Sequence, residues 1–344
     1  MKKMMHMFIL ILFILVLNNS SFAGDFKKVG QSGMTYLNVS LGARESAMGN
    51  ASTASVTGIQ GAFYNPAVLT EFKGFSFMAN QVNWLADTKL YGIVAGYGFG
   101  QYGSFAIDFI YMDYGDIMGT EVVDKSVNEN GYQLTGLLNV KDYSIGFSYA
   151  YPVNDRFTFG GKVKYVYEYL GKMPIVTGYK NTEQTEYAYS DPRDWYLNHW
   201  GIDFGAYYKT AFKDLALGVA FMNYSTDMQY WQEAFAMPLS LKMGLSMDIA
   251  TLFMEENKKI KINTAVDVIH PVDYSERVHI GTEIVYRDIV SLRGGYQFNH
   301  DVENWSVGFG VKFDYQGLGG SLDYSFTNAE YFDNINRFSI QFWF

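Results

Sequence analysis

Short segments with alternating apolar and polar residues fill most of the chain after residue 73. In the segment DYSIGFSYAY, residues 142–151, the odd positions carry Tyr, Ile and Phe, whereas the even ones carry mainly Ser, Gly and Ala. The segment NWSVGFGVKFD, residues 304–314, alternates in the same way. A period of two residues is that of a β-strand, because successive side chains point to opposite faces of a sheet. The pattern therefore predicts an all-β fold.

Two features of these segments favour a barrel in a lipid bilayer over a soluble β-sandwich, which would also alternate. The apolar faces are unbroken and carry aromatic residues near their ends, as the girdles of membrane barrels do. The opposite faces carry Gly, Ser and charges of both signs, which suits a polar lumen, and about ten residues let a tilted strand cross the bilayer. We predict a 14-stranded antiparallel transmembrane β-barrel with strands near 74–84, 89–99, 102–112, 142–152, 155–169, 199–211, 214–224, 238–249, 258–269, 276–287, 288–298, 303–315, 317–326 and 335–344.

The connections between these strands predict how the barrel is oriented. Bacterial outer-membrane barrels have an even number of strands, short periplasmic turns and long external loops. The connection at 250–257 is the exception, because it is of medium length but falls on the periplasmic side, and a miscounted hairpin there is the alternative. Counted from a periplasmic N-terminus, the long connections fall outside; these are 113–141, 170–198, 225–237 and 327–334.

Charged residues at inward positions predict a filled lumen. Their mixed signs favour ion pairs across the lumen, which would make a filled barrel rigid; a relay for protons or ions is the alternative. The residues expected to line the interior are Lys162, Lys164, Glu168, Asp203, Lys209, Asp267, Arg277, Glu283, Arg287 and Arg293.

The N-terminus has the three parts of a secretory signal peptide. Two lysines supply positive charge, residues 8–17 are apolar, and Ser-Phe-Ala at 21–23 offers a cleavage site. A membrane anchor is the alternative, but a spanning helix takes about 20 apolar residues. We predict a signal peptide at 1–23 that is cleaved near Ala23–Gly24, and export to the outer membrane of a Gram-negative bacterium.

Residues 24–73 differ from the rest of the chain, since they are rich in Ala, Gly, Ser and Thr and lack a long apolar alternation. Small residues allow close packing in a confined space. We therefore interpret 24–73 as a plug or hatch in the lumen, with a short helix near 44–51, ahead of a barrel domain at 74–344. A flexible periplasmic tail is the alternative, and composition does not separate the two.

The chain finishes on an apolar alternating strand, NRFSIQFWF. In a soluble domain such an ending would fray or promote aggregation, whereas in a barrel it pairs with the first strand and leaves no edge. An apolar last strand that ends in Phe resembles the signal by which the assembly machinery of the outer membrane recognises its barrels. The residues of this predicted signal are Phe338, Ile340, Phe342 and Phe344.

Three segments in order, GARESAMGNAST at 42–53, AFYNPAVL at 62–69 and VNWLADTKLYG at 82–92, resemble the PorV/PorQ family of outer-membrane proteins. The triplet Asn-Pro-Ala is also similar to the motif in the N-terminal hatch of long-chain fatty-acid transporters, which are fourteen-stranded barrels. An Asn-Pro pair alone is a common turn signal, so the combined pattern carries the resemblance. The residues that we assign to the plug motif on this basis are Gly42, Ala43, Arg44, Met48, Gly49, Asn65, Pro66 and Ala67.

The resemblance implies a role in type IX protein secretion. Members of the family act as adaptors or shuttles, and the partners implied are a large translocon barrel and the C-terminal sorting domains of cargo proteins, besides membrane lipid and the barrel assembly machinery. Aromatic residues anchor protein interfaces, so we expect cargo contacts in the external loops; packing within the loops is the alternative. The candidate contact residues are Trp195, Tyr196, Tyr230 and Trp231.

Composition narrows the remaining functions. The chain has 344 residues, no Cys and a net charge of -9, which argues against disulfides, thiolate metal sites and nucleic acid as a partner. A mean hydropathy of -0.07 is too low for a helical membrane protein. The His residues have no metal-ligand spacing, and the sequence has no motif of a nucleophile elbow, phosphate loop or zinc protease. We predict no enzyme activity, catalytic residue, cofactor or metal.

Two rival functions remain for such a barrel. A transporter for hydrophobic small molecules, such as fatty acids, would use the hatch to gate an apolar pocket in the lumen. The inward rows are charged and rich in Gly rather than apolar, which counts against this function. A purely structural barrel is the third alternative.

Overall fold

The computed structural model describes residues 30–181, 186–189, 191–253 and 259–344. The predicted signal peptide with its cleavage site, and residues 24–29 of the predicted plug, lie outside these residues. The strands in chain order are β1 Gly74–Asn83, β2 Lys89–Gly98, β3 Ser104–Asp113, β4 Ile117–Val122, β5 Tyr132–Leu138, β6 Lys141–Pro152, β7 Phe157–Met173, β8 Val176–Asn181, β9 Glu186–Tyr189, β10 Arg193–Lys209, β11 Ala216–Tyr224, β12 Met228–Gln229, β13 Ala234–Phe235, β14 Ser240–Asp248, β15 Ile260–Pro271, β16 Arg277–Tyr286, β17 Val290–Phe298, β18 Glu303–Tyr315, β19 Leu318–Ala329 and β20 Ile335–Trp343.

Fourteen of these strands form a closed antiparallel barrel in the order β1-β2-β3-β6-β7-β10-β11-β14-β15-β16-β17-β18-β19-β20. This confirms the predicted number and order of barrel strands. No pair of barrel strands was miscounted at 250–257, because β14 and β15 are direct neighbours and pair from Ser240↔Pro271 to Asp248↔Asn263. A 3-10 turn, Ile249–Leu252, follows β14, and residues 254–258 lie outside the described part.

The long external connections contain more strand than the sequence pattern predicts. The predicted loop 113–141 contains the hairpin β4–β5, and 225–237 contains β12–β13. The predicted loop 170–198 is wrong as a loop, since β7 and β10 keep pairing as far as Met173↔Arg193. Ladder hydrogen bonds extend these two strands beyond the length that a membrane requires, and hydropathy does not report such bonds.

The outer face of the barrel is apolar and the inner face is small or polar, as the alternation predicts. On β18, Val307, Phe309 and Val311 are exposed, whereas Ser306 and Gly310 between and beside them are buried. Cross-strand pairing places aromatic residues from neighbouring strands in one row near the external ends, as in an aromatic girdle. This row is Tyr91, Tyr111, Tyr143 and Tyr167.

The barrel closes between its last and first strands. β20 pairs with β1 from Ser76↔Trp343 to Asn83↔Asn336. The ring of Phe344 lies 5.0 Å from that of Phe75, and the two backbones exchange hydrogen bonds of 2.9 and 3.0 Å. The four residues of the predicted assembly signal all lie on the outward row of β20 and its end. Their recognition by an assembly machinery stays a prediction.

Residues 30–72 lie inside the barrel as a plug. Their helical turns are the 3-10 turn Thr35–Asn38, helix α1 Ala43–Ala47, the 3-10 turn Gly58–Gln60, helix α2 Gly61–Tyr64 and the 3-10 turn Pro66–Glu71. The described chain starts at the external mouth, where Ser32 bridges to Ala236, and descends to the periplasmic end of β1. Two further 3-10 turns, Leu85–Asp87 and Gly100–Tyr102, connect neighbouring strands. Among the described residues, no helix has the length and apolar character needed to cross a membrane.

Candidate functional site

The Asn-Pro-Ala triplet of the plug rests on two inward glycines of the barrel wall. A Cβ atom at Gly160 would lie 2.5 Å from the backbone nitrogen of Ala67, and one at Gly205 would meet the side chain of Asn65. Only glycine allows the plug backbone to approach the strands so closely. These inward glycines therefore leave the space in which the plug backbone packs directly against the barrel wall.

The side-chain amide of Asn65 stabilises this turn through hydrogen bonds. Its Oδ1 accepts a hydrogen bond of 3.1 Å from the backbone nitrogen of Ala67, as an N-cap residue does before a helical turn that begins with Pro. Its Nδ2 donates to the carbonyl of Thr53 at 2.8 Å and to that of Ala206 in β10 at 3.3 Å. The triplet thus links two parts of the plug to the wall.

The residues around helix α1 are fixed in the same way. The backbone nitrogen of Gly42 donates to the Tyr64 hydroxyl at 2.7 Å, and that of Ala43 donates to Ser339 Oγ at 2.9 Å. Burial raises the pKa of the Tyr64 hydroxyl, which therefore stays protonated. Met48 is fully buried, and Gly49 has a positive φ of 62° and donates to Ser306 Oγ at 3.1 Å.

Arg44 joins the plug to a buried ion-pair network. Its Nη2 lies 2.8 Å from Glu283 Oε2, and its Nη1 donates to the carbonyl of Ser55 at 3.0 Å. Glu283 Oε1 also accepts from Arg293 Nε at 2.7 Å, and Arg293 Nη1 lies 2.6 Å from Asp323 Oδ1. The network joins the plug to strands β16, β17 and β19. The pairs between wall residues lie between nearby strands, whereas the mixed inward charges predicted pairs across the lumen.

Not every residue of the predicted charged lining lies inside. Lys162, Lys164, Asp203, Asp267, Glu283 and Arg293 are buried. Arg287 is exposed in the turn after β16, where its φ of 51° leaves the strand conformation, so its lumen assignment is wrong. Lys209 pairs with Glu71 at 2.8 Å but is half exposed at the periplasmic rim.

The external half of the lumen contains a large apolar cluster, which corrects the expectation that the inward rows are charged and rich in Gly rather than apolar. Inward-facing residues at the external ends of the strands pack there against the start of the plug and the loop after β11. Together they form one buried cluster, and several of its members are methionines. We call this set the external cluster; its buried members are Met34, Tyr36, Leu41, Val82, Leu90, Ile110, Met112, Val166, Met228, Met237, Ala329 and Ile335.

A cavity of about 30 Å³ adjoins this cluster. This lumen cavity has room for about two water molecules. Its apolar wall includes Leu37, Phe63 and Met222, and its polar floor is formed by Lys162, Lys164, Asp203 and Asn223.

A loop of residues 225–239, between β11 and β14, covers the external mouth; we call it the mouth loop. Met228 and Met237 of this loop are buried in the external cluster. The hydroxyl of Tyr230 donates to Glu168 Oε1 at 2.7 Å. Burial and this carboxylate raise the pKa of the Tyr230 hydroxyl, so it remains a donor.

The structure brings some of the predicted loop residues together and separates others. The Arg193 guanidinium lies against both Trp195 and Trp231, with its Cζ 3.7 Å and 4.1 Å from the two ring centroids, and the two rings meet edge to face at 6.3 Å. Tyr230 is part of the mouth loop beside them. Tyr196 is not part of this group, because it lies in β10 and points to the outer face, where it stacks on Tyr167.

Within the described residues, no cluster of three or more His, Asp or Glu side chains is arranged to hold a metal ion. The buried charges of the network formed by Arg44, Glu283, Arg293 and Asp323 are paired with each other.

No protein-family model and no curated protein matches the chain. Solved structures do match. The toluene transporter TbuX of Ralstonia pickettii has 16% identity and a TM-score of 0.55, with 88% of this chain and 98% of that chain covered. The toluene transporter TodX of Pseudomonas putida has 15% identity and a TM-score of 0.55, with 88% and 96% covered. A FadL homologue of Pseudomonas aeruginosa has 10% identity and a TM-score of 0.53, with 88% and 98% covered.

At these identities the likeness shows the fold. The chain has the closed barrel fold of FadL-type outer-membrane proteins, and two of the neighbours with this fold, TbuX and TodX, are toluene transporters. The predicted likeness in architecture to fatty-acid transporters is thus confirmed, whereas the resemblance to the PorV/PorQ family stays a prediction because no family model matches.

Sequence reasoning missed the external cluster. A signal was present, since the alternation breaks where β3 ends: Phe109-Ile110-Tyr111-Met112 is apolar on both faces. A strand that is apolar on both faces is covered on both. The contribution of the mouth loop had no such signal, because Met228 lies in a strand of only two residues and Met237 lies in irregular chain, so neither belongs to an alternating segment.

Proposed function

We propose that this outer-membrane barrel takes up hydrophobic small molecules into the external half of its lumen, as the first step of their transport. The apolar, methionine-rich external cluster above the plug carries this proposal. Small-molecule sites in proteins are mostly apolar with a few polar groups, and the external cluster with the polar floor of the lumen cavity has this composition.

The chemistry of the cluster fits exchangeable contents. Methionine is unbranched and flexible, so it adapts to ligands of different shape. The neighbours with this fold include toluene transporters, which supports the same class of compound here. The lumen cavity, at about 30 Å³, is smaller than such compounds. We therefore expect the methionines and the mouth loop to move aside when a compound is bound.

The test is uptake of radiolabelled toluene by cells that lack other outer-membrane channels for hydrophobic compounds. The decisive variant is Met222→Trp, because Met222 lines the lumen cavity. The matched control is Phe221→Trp at the adjacent residue, which faces lipid. We expect uptake with the wild type and the control, and little with Met222→Trp. Equal uptake by cells with and without the barrel would refute the proposal.

A second candidate is the adaptor role in type IX secretion that the PorV/PorQ resemblance implies. The observation that favours it is the contact of the Arg193 guanidinium with the rings of Trp195 and Trp231 at the external surface, where Trp231 is 53% exposed. Exposed Trp next to Arg is typical of binding hot spots. The candidate partners are a translocon barrel and cargo sorting domains.

This role is tested by a pull-down from gently solubilised outer membranes, with a tag in the 123–131 turn between β4 and β5. Recovery of a giant translocon barrel or of proteins with a shared C-terminal domain would support it. Trp231→Ala should lose the partner, whereas Phe332→Ala, which removes another exposed external ring, should not. Recovery of the barrel alone would leave the transport function as the better proposal.

A further inference from the structure

The ammonium group of Lys164 on the floor of the lumen cavity has no donor to spare. It lies 2.8 and 2.9 Å from the two carboxylate oxygens of Asp203, and it also donates to Asn223 Oδ1. Three acceptors therefore match the three protons of this ammonium. Asp203 is fully buried and Lys164 nearly so.

Two further cations near the external cluster are paired as well. Lys162 Nζ lies 2.8 Å from Asp108 Oδ1 and donates to the carbonyl of Ala62 at 3.0 Å. Arg337, fully buried at the far side, lies 3.2 Å from Glu303 Oε2. Its other nitrogens donate to Thr327 Oγ1 and to the carbonyl of Ser40, both at 2.9 Å.

Two further carboxyl groups lie near the mouth. Asp142 on β6 and Glu168 on β7 are direct cross-strand partners. Asp142 accepts a hydrogen bond from the Tyr114 hydroxyl, and Glu168 accepts one from Tyr230. Both carboxyl groups accept hydrogen bonds and can carry negative charge. Their partners in these two bonds are tyrosine hydroxyls, not cations.

We infer that the site selects uncharged hydrophobic molecules and rejects carboxylates of the same shape. This inference rests on the proposed function and names its class of ligand. A bound carboxylate would have to leave water for a site where both ammonium groups that line the lumen cavity, those of Lys162 and Lys164, already have a carboxylate partner and where Asp142 and Glu168 near the mouth are acceptors. Burying a charge without a partner is unfavourable, whereas a neutral ring loses nothing of that kind.

The test compares toluene with benzoate, which replaces the methyl group by a carboxylate and is ionised at neutral pH. Binding of each radiolabelled compound to the full barrel is measured by equilibrium dialysis in detergent, with protein-free micelles as the blank. We expect toluene to bind, and benzoate to bind at least about a hundredfold more weakly.

The decisive variant is Asp203→Asn, which removes the carboxylate partner of Lys164 while keeping an acceptor for the backbone nitrogen of Asn223. We expect it to tighten benzoate binding by about tenfold or more relative to toluene binding, so that the ratio of the two affinities is the quantity to compare. Asp108→Asn, which releases Lys162 in the same way, provides a second variant if the first does not fold. Asp323→Asn is the matched control, since it breaks a buried pair with Arg293 outside the lumen cavity.

The outcomes separate this inference from the function on which it rests. If neither compound binds the wild type, the transport function fails. If benzoate binds the wild type as tightly as toluene, the selectivity is refuted and the transport function stands. The selectivity is also refuted if folded Asp203→Asn and Asp108→Asn leave benzoate binding unchanged, or if Asp323→Asn raises it equally.

Discussion

The hydroxyl of Tyr230 donates a hydrogen bond of 2.7 Å to Oε1 of Glu168, and this bond joins the mouth loop to strand β7. The next residue, Trp231, stacks on Arg193 at 4.1 Å. On the other side of the mouth, the backbone nitrogen of Gly33 donates to the carbonyl of Ala236 at 3.1 Å. The mouth loop is thus bound to the barrel wall on one side of the mouth and to the plug on the other. We expect a molecule that arrives from outside to break at least one of these two sets of contacts.

Locking the mouth loop to the plug should block uptake. Ser32 and Ala236 are bridge partners, and the chain has no Cys, so Ser32→Cys with Ala236→Cys allows a single engineered disulfide. We expect the oxidised double variant to lose most toluene uptake and a reductant to restore it. The two single Cys variants are the controls. Equal uptake by the oxidised and reduced forms would show that the loop does not need to leave the plug.

A methyl group at Gly160 should disturb the plug. The added Cβ would lie 2.5 Å from backbone atoms of Pro66 and Ala67, and overpacking of this kind costs about 1–3 kcal/mol. We expect Gly160→Ala to make cells more sensitive to large hydrophilic antibiotics and the plug more sensitive to protease. Gly161→Ala is the matched control, because its nearest neighbour lies 3.8 Å away. Similar effects of both variants would contradict the role of Gly160 in allowing the plug to pack closely against the wall.

Removing Glu283 should destabilise the barrel, since it leaves the buried guanidinium groups of Arg44 and Arg293 without their shared carboxylate. We expect Glu283→Ala to lower the free energy of unfolding by about 3–5 kcal/mol, measured by urea titration in lipid vesicles. Glu276→Ala removes an exposed partner of His270 and should have little effect. A small effect of Glu283→Ala would mean that water or rearrangement replaces the network.

Shortening the last side chain should impair assembly. Phe344→Ala keeps the backbone hydrogen bonds to Phe75 but removes the ring that lies 5.0 Å from the Phe75 ring. We expect less folded barrel in the outer membrane, measured as the heat-modifiable band on gels, with unfolded chain degraded. Phe332→Ala, at an exposed external position, is the control. An unchanged yield would exclude Phe344 from the assembly signal.

The sequence determined the barrel itself. A strand in a lipid bilayer must place apolar residues outward at every second position and satisfy its backbone by pairing. This local rule made β18 and β20 recognisable, and the lengths of the connections predict which ends lie outside. Where ladder pairing continued beyond the membrane, as in β7 and β10, hydropathy no longer set the boundary, so Trp195 and Tyr196 were placed in a loop instead of a strand.

The interior was decided by the tertiary structure. A polar residue at an inward position does not reveal its partner, so Glu283 could be assigned to the lumen but not to Arg44, which lies more than two hundred residues earlier. The external cluster draws on the plug, the strands and the mouth loop at once, and each contributes only a few apolar side chains. Contacts between segments so distant in sequence depend on how the barrel closes around the plug, and no local period encodes them.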